Sequence, residues 1–243
     1  MGALFEESRR WVDTEVCNRS VVDRFTEYVN GVPFLCKHRN YIEDNVYGFG
    51  ERAFHWLWKL IIDEMPSSFS MLEVGVYKGQ VLSLVALLAK KTRRKAKVYG
   101  VTMLTSFTGI TGKFPPGPTC DYWKMITELH DTMGVPQPHL LVYDSTSDDA
   151  HEAVAALPRF DVVYIDGCHE YDYVLNDIMF YKERIKLGGF LVMDDASNYL
   201  QQPWGYFQGI EDVSRAVRTG LDTDTRFEHL LACMHNRVWV RVE

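Results

Sequence analysis

The chain has 243 residues, 47% of them hydrophobic, and a formal net charge of -7 at pH 7. That length and apolar content suit one large α/β domain with a substantial core, while the acidic balance excludes a sequence-independent grip on nucleic acid, which needs many Lys and Arg contacts to phosphate. Cys17, Cys36, Cys120, Cys168 and Cys233 are scattered, odd in number and without CxxC spacing, so they point neither to a disulfide framework nor to zinc, and fit a reducing compartment.

The opening residues "MGALFEESRRWVDTEV" become charged within six positions, and no later window has eighteen uncharged apolar residues. The expectation is a soluble, cytoplasmic protein with no membrane partner. Residues 1–30 and 51–64 read as helical; the second stretch, "ERAFHWLWKLIIDE", is apolar around most of its surface and is expected to pack deeply, with Phe54, Trp56 and Trp58 in the core. Residues 1–66 are expected to form an N-terminal helical extension or lid, and residues 67–243 the main domain.

From there strands and helices alternate. "SMLEVGV" (70–76) reads as a strand, "QVLSLVALLAKK" (80–91) as a helix and "KVYGVT" (97–102) as a second strand. The basic run "KKTRRKAK" (90–97) lies where a helix ends, and cations there favour the carbonyl end of the helix dipole. A loop containing "GKFPPGPT" (112–119) leads to a helix near 121–133, a strand "HLLVYD" (139–144) and a helix near 147–156, whose Asp148 and Asp149 are ordinary first-turn acids. "FDVVYIDGCHEY" (160–171) opens on a fourth strand, residues 171–185 read as a helix, and "GGFLVMDD" (188–195) as a fifth strand. A helix near 209–218 follows, then "RFEHLLACMH" and "RVWVRV" around a His-Asn pair suited to a tight turn. This order implies an α/β, doubly wound, mostly parallel sheet of seven strands with an antiparallel C-terminal hairpin.

Two buried strands thus end on carboxylates, Asp166 on one and Asp194 with Asp195 on the other, and in such sheets ligands bind beyond the carboxyl ends of the strands. In "LEVGVYKGQ", Glu73 ends the first strand while Gly75 and Gly79 permit close backbone passage toward a ligand. The spacing is not the GxGxxG phosphate fingerprint, and an acid in the turn suits a cation better than a pyrophosphate. Each feature has a plainer reading: an ordinary strand-to-helix turn at the glycines, helix caps at the three aspartates, a surface residue at His169, and a simple loop in place of a substrate lid at 199–209.

Glu-x-Gly-x-x-x-Gly after the first strand, seven strands ending in a hairpin, and "IDGCHEY" followed by "LGGFLVMDD" together resemble the class I S-adenosylmethionine-dependent methyltransferases, a Rossmann-like fold. Within them they resemble the metal-dependent macrocin and mycinamicin type of sugar O-methyltransferase, over about residues 68–243. The resemblance implies that Glu73, Gly75 and Gly79 wrap the methionine part of the cofactor and that Asp144 and Ser145 lie at its adenine. Thr102 stands where the class usually has a ribose-binding acid. A Thr cannot receive a bidentate pair, so ribose binding is either weakened or shared with Thr105 or Ser106. The resemblance further implies that Asp166, Asp194 and Asp195 hold a divalent metal, Mg²⁺ being the first expectation, and that His169, three residues past Asp166, acts as base, with Asp166 the other catalytic candidate.

The chemistry agrees. Three carboxylates on neighbouring strand ends raise one another's pKa unless a cation sits among them, and oxygen ligands suit Mg²⁺, Mn²⁺ or Ca²⁺. The resulting reading is an S-adenosylmethionine-dependent O-methyltransferase that acts, with metal assistance, on a hydroxyl of a small molecule, either a sugar or natural-product-like. Two adjacent hydroxyls would chelate best. A metal-dependent sugar-nucleotide transferase and a non-catalytic S-adenosylmethionine-binding protein are the alternatives, the second kept open by Thr102. The expected partner is a small hydroxyl-bearing molecule, not nucleic acid, and a homo-oligomer is compatible with the sequence.

Overall fold

The computed structural model describes residues 2–10, 15–105, 120–200 and 205–243. Before the sheet come helices α1 (Ala3–Arg10), α2 (Glu15–Gly31), α3 (Pro33–Asp44) and α4 (Ala53–Asp63). The sequence reading gave no helix at α3. Pro33 starts it at the position where a missing N–H costs nothing, but its buried face carries His38 and Arg39 beside Leu35 and Ile42, and those polar residues break the apolar period. Arg39 is buried because it has work there: it pairs with Glu43 and donates to the carbonyls of Phe49 and Gly50.

The alternating part runs β1 (Ser68–Val74), α5 (Gln80–Lys91), β2 (Lys95–Thr102), α6 (Tyr122–Met133), β3 (His139–Val142), α7 (Asp148–Ala155), β4 (Phe160–Ile165), α8 (Tyr171–Tyr181), a 3₁₀ turn at Lys182–Arg184, β5 (Ile185–Met193), α9 (Glu211–Gly220), β6 (Phe227–Cys233) and β7 (Asn236–Arg241). These form the expected seven-stranded sheet, in the order β3-β2-β1-β4-β5-β7-β6. All neighbours are parallel except at β7, which runs antiparallel to both β5 and β6. The strand order reverses between β1 and β4, which makes their carboxyl ends the place for a ligand. The hairpin turn differs from expectation: Cys233 pairs with Asn236, so the turn residues are Met234 and His235, with Met234 at φ 52°, and Asn236 belongs to β7. The 112–119 loop and Ser106 lie outside the described residues, as do residues 201–204 of the 199–209 segment. Among the described residues, no helix is long and apolar enough to cross a membrane.

Strand alternation sorts the core into two layers. Met71, Val162, Tyr164, Phe190 and Val192 face the layer that holds α4 and α5, and Leu72, Val74, Val163, Ile165, Leu191 and Met193 face the layer of α7, α8 and α9. By the same parity Glu73, and the residues just past two strand ends, Asp166 and Asp194, belong to the α4 face. Trp58 of α4, 2% exposed, meets Tyr164 edge to face at 5.3 Å between ring centroids, so the N-terminal helices are welded to the sheet beside the strand ends. Replacing Trp58 by Ala removes that contact and leaves a cavity; the expected cost is about 3–5 kcal/mol, read as a lowered midpoint in urea unfolding.

Candidate active site

The parallel ladder continues one residue past each strand. Asp166 N–H donates to Val74 O at 2.8 Å, and Asp194 N–H donates to Ile165 O at 3.1 Å. Those two bonds set Asp166 and Asp194 side by side. Asp195 would project to the opposite sheet face if the strand stayed extended, but it adopts φ 52°, a left-handed conformation that costs a β-carbon residue on the order of 1 kcal/mol. Its carboxylate therefore swings back beside that of Asp194: the Nε2 of His235 lies 3.5 Å from Asp194 Oδ1 and 4.0 Å from Asp195 Oδ1. Gly209, at φ 101°, lets the chain pass the Asp195 carbonyl, which a β-carbon there would meet at 2.2 Å.

His169 stands between the two strand ends, its Nε2 3.7 Å from Asp166 Oδ1 and 3.6 Å from Asp195 Oδ2. Tyr164 donates its hydroxyl to Asp166 Oδ2 at 3.0 Å, and Asn236 donates its amide to Asp194 Oδ1 at 2.6 Å. None of the three aspartates caps a helix, since the residues at the caps of α8 and α9 are Glu170 and Ile210. Together with Glu73, Asp166, His169, Asp194, Asp195 and His235 line a cavity of about 340 Å³.

The electrostatics of this cavity are one-sided. Burial, and then the charge of Asp194, hold Asp166 well above the usual carboxylate range; burial and then Asp166 do the same to Glu73. Asp195 is pushed up to about 8, by burial first and by Asp194 second. Nearby cations serve other ends. Lys78 donates to Val46 O at 2.8 Å and, like Arg39, pins the loop that carries Tyr47 and Glu51 over the cavity. The Oε2 of Glu73, a residue 4% exposed, has no hydrogen-bond partner. An orphaned buried carboxylate oxygen and three more acids fit cationic ligands: the methionine end of S-adenosylmethionine near Glu73, and a divalent metal at Asp166, Asp194 and Asp195.

Gly75 is required by the packing itself. At φ 92°, a β-carbon there would meet the carbonyl oxygen of Asp166 at 2.1 Å, so this glycine admits the very segment that delivers Asp166. Gly79, at φ 83°, heads α5. Thr102, Asp144 and Ser145 lie apart from the cavity. The Thr102 hydroxyl donates to Val76 O at 3.0 Å and accepts from Leu104 N–H at 3.1 Å, tying β2 to the turn after β1. Asp144 accepts from Thr146 N–H and its hydroxyl, and the Ser145 hydroxyl donates to Asp177 Oδ2 at 3.2 Å. Sequence reasoning missed Tyr164, Glu51, His235 and Asn236 as site residues. The hairpin register, which pairs Met193 with Arg237, is what carries His235 and Asn236 to the acids, and no local pattern announces it.

The family described as methyltransferase domain matches residues 72–196, a little over half of the chain. The chain belongs to that family. Its cofactor is S-adenosylmethionine, and the sugar-nucleotide transferase alternative gives way. An uncharacterised protein of Acanthamoeba polyphaga mimivirus is 25% identical over 202 residues, covering 81% of this chain and 82% of its own. The calicheamicin methyltransferase CalS11 superposes with a TM-score of 0.57 at 15% identity, covering 92% of this chain and 91% of that one. A Podospora anserina methyltransferase bound to S-adenosylhomocysteine gives 0.55 at 13% identity, over 92% and 88%. These structures share the fold.

One buried acid of this methyltransferase lies behind the cavity. Asp177 on α8 is fully buried; its Oδ1 has no partner, and burial pushes it up to about 7. Because the folded-state value is raised, folding is unpenalised below about pH 4 and loses stability as pH climbs to 7, by at most about 4 kcal/mol. Asp177→Asn removes the titration. Urea unfolding between pH 4.5 and 8 is expected to show the variant gaining on the parent up to pH 7 and no further; a difference independent of pH would place that carboxyl in water.

Proposed function

We propose that this methyltransferase is a metal-assisted O-methyltransferase acting on a small hydroxyl-bearing molecule, a sugar or similar natural product. The observation that carries the reading is the meeting of Asp166, Asp194 and Asp195 with His169 in the same cavity as Glu73, with no Lys or Arg among its described neighbours committed to those acids. When bound, the divalent cation supplies Lewis acidity toward a hydroxyl, and S-adenosylmethionine supplies the electrophilic methyl.

The chain's own residues do the rest. Glu73, through its unpartnered Oε2, would hold the amino group at the methionine end of the cofactor. His169 takes the hydroxyl proton at Nε2, and Asp166 and Asp195, each less than 4 Å from that nitrogen, stabilise the imidazolium that results. Residues 1–66 serve as a lid, through the loop held by Arg39 and Lys78, which keeps water from the transferring methyl and aligns the two reactants. The ribose is left to Thr105 and to the segment containing Ser106, since the Thr102 hydroxyl is already engaged. CalS11, which shares the fold, is a TDP-rhamnose 3'-O-methyltransferase, and this supports a sugar hydroxyl as the acceptor to try first.

Methyl transfer to a panel of sugars and phenols is expected to stop in chelator and to return with added divalent metal. Asp166→Asn, Asp194→Asn and Asp195→Asn each keep the side-chain shape while deleting charge, and each is expected to weaken metal binding and slow transfer. Full activity of the parent in chelator would sink the metal-assisted reading. A separate expectation concerns the base: His169→Ala loses on the order of a hundredfold or more in turnover while calorimetry finds S-adenosylhomocysteine bound as in the parent.

A further inference from the structure

We propose that His235 is a ligand of the divalent cation, giving the site a nitrogen donor from the C-terminal hairpin and a preference for Fe²⁺ or Co²⁺ over Mg²⁺ and Ca²⁺. This rests on the metal-assisted reading above and changes its expected metal. Among the described residues, Asp194, Asp195 and His235 offer three donor atoms that all lie within 4.8 Å of one another. Two ligands at 2.1 Å on opposite sides of an ion are about 4.2 Å apart, so donor atoms grouped this closely can close on one ion. The distances from His235 Nε2 to the two aspartates, 3.5 and 4.0 Å, already fall inside that span.

Two histidines reach these acids, and the structure distinguishes them. His169 lies in the short segment between β4 and α8, and its side chain is 30% exposed. The His235 side chain is 7% exposed and is packed between two aromatic rings. Its ring packs edge to face on Phe54 at 4.7 Å and on Phe207 at 5.2 Å between centroids. Its carbonyl accepts from Ala196 N–H at 2.8 Å, which ties the hairpin turn directly to the residue after Asp195. The next residue, Asn236, orients Asp194. A packed, nearly buried imidazole suits a ligand, and the more exposed one, within reach of an entering substrate, suits proton transfer.

The second ring nitrogen points the same way. His235 Nδ1 is buried without a hydrogen-bond partner, so with Nε2 turned to the aspartates the ring has an N–H to give. Metal-bound histidines ordinarily donate that N–H to a carboxylate or carbonyl. Glu51, on the loop over the cavity, is close enough for its charge to feel His235, and its Oε2 is likewise buried and unpartnered. A nitrogen ligand favours the later first-row divalent ions, whereas an all-oxygen set suits Mg²⁺, Ca²⁺ and Mn²⁺.

The test is metal binding by the full chain without cofactor or acceptor. Titration with Mn²⁺, Co²⁺ and Mg²⁺ is expected to give Co²⁺ at least about tenfold tighter than Mg²⁺. Pulsed electron paramagnetic resonance of the Mn²⁺-loaded parent, prepared with natural and with ¹⁵N-labelled histidine, is expected to show coupling to one histidine nitrogen. That coupling is expected to vanish in His235→Leu and to persist in His169→Gln, with Co²⁺ affinity falling about tenfold or more in the first and Mg²⁺ affinity falling less. Mn²⁺ bound by the parent with no nitrogen coupling would overturn the proposal and leave an all-oxygen metal site intact. Coupling that survives in His235→Leu would assign the nitrogen to His169 and also overturn it. Failure of the parent to bind any of the three ions would remove the proposal together with the metal-assisted reading on which it rests.

Discussion

Glu73, Asp166, Asp194 and Asp195 are held in one another's electric field by the hydrogen bonds that extend the parallel ladder past β1, β4 and β5, and much of the rest of the molecule is arranged around that repulsion. Two like charges about 4 Å apart at the edge of a protein interior oppose each other by about 4 kcal/mol, several times the strain of turning Asp195 into a left-handed conformation. Only a cation or a proton relieves such a set. The raised positions of Asp166, Glu73 and Asp195 describe the proton-bound answer, and a methyltransferase with a positively charged cofactor has a second one available.

The scaffold spends its own cations elsewhere. Lys78, one residue before the α5 cap, and Arg39, buried on α3, both bond carbonyls of the 46–50 segment. Arg52 joins Glu43 and Asn40 and fixes the far side of the same loop. Further in, His38 bridges His55 at 2.9 Å and the Ser83 hydroxyl at 3.0 Å, joining α3 and α4 to α5 inside the core. Burial holds both imidazoles well below their ordinary range, so this link is made of neutral rings and adds no charge beside the acids. The N-terminal helices are thereby attached to the sheet at the edge where the acids gather, and the cavity keeps its negative character.

The C-terminal hairpin closes the other side. An antiparallel β7 beside β5 brings its turn back to the carboxyl edge of the parallel strands, so Met234 and His235 arrive next to the ends of β4 and β5 although they are far away in sequence. One element thus supplies Asn236 to Asp194, His235 to both aspartates of the pair, and, through the bond from Ala196, a clamp on the residue that follows them. Gly75 plays the corresponding part on the β1 side by making room for the Asp166 carbonyl. The glycine after β1 and the acid after β4 are therefore parts of one packing arrangement.

Local patterns in the sequence determined the alternating strands and helices, the seven-stranded sheet with its closing hairpin, and the acids at the ends of two buried strands, because period-two apolar runs and helical spacing are properties of consecutive residues. Helix α5 was legible to the residue for that reason. Helix α3 was not, because His38 and Arg39 are buried by partners that lie elsewhere in the chain. Only the tertiary structure decided that Asp195 turns back beside Asp194, that the Thr102 hydroxyl is consumed by the Val76 carbonyl, that Gly75 faces the backbone of Asp166, and that His235 belongs with the aspartates. Each of these depends on register between strands or on a close approach of distant backbones, and a linear pattern holds no record of either.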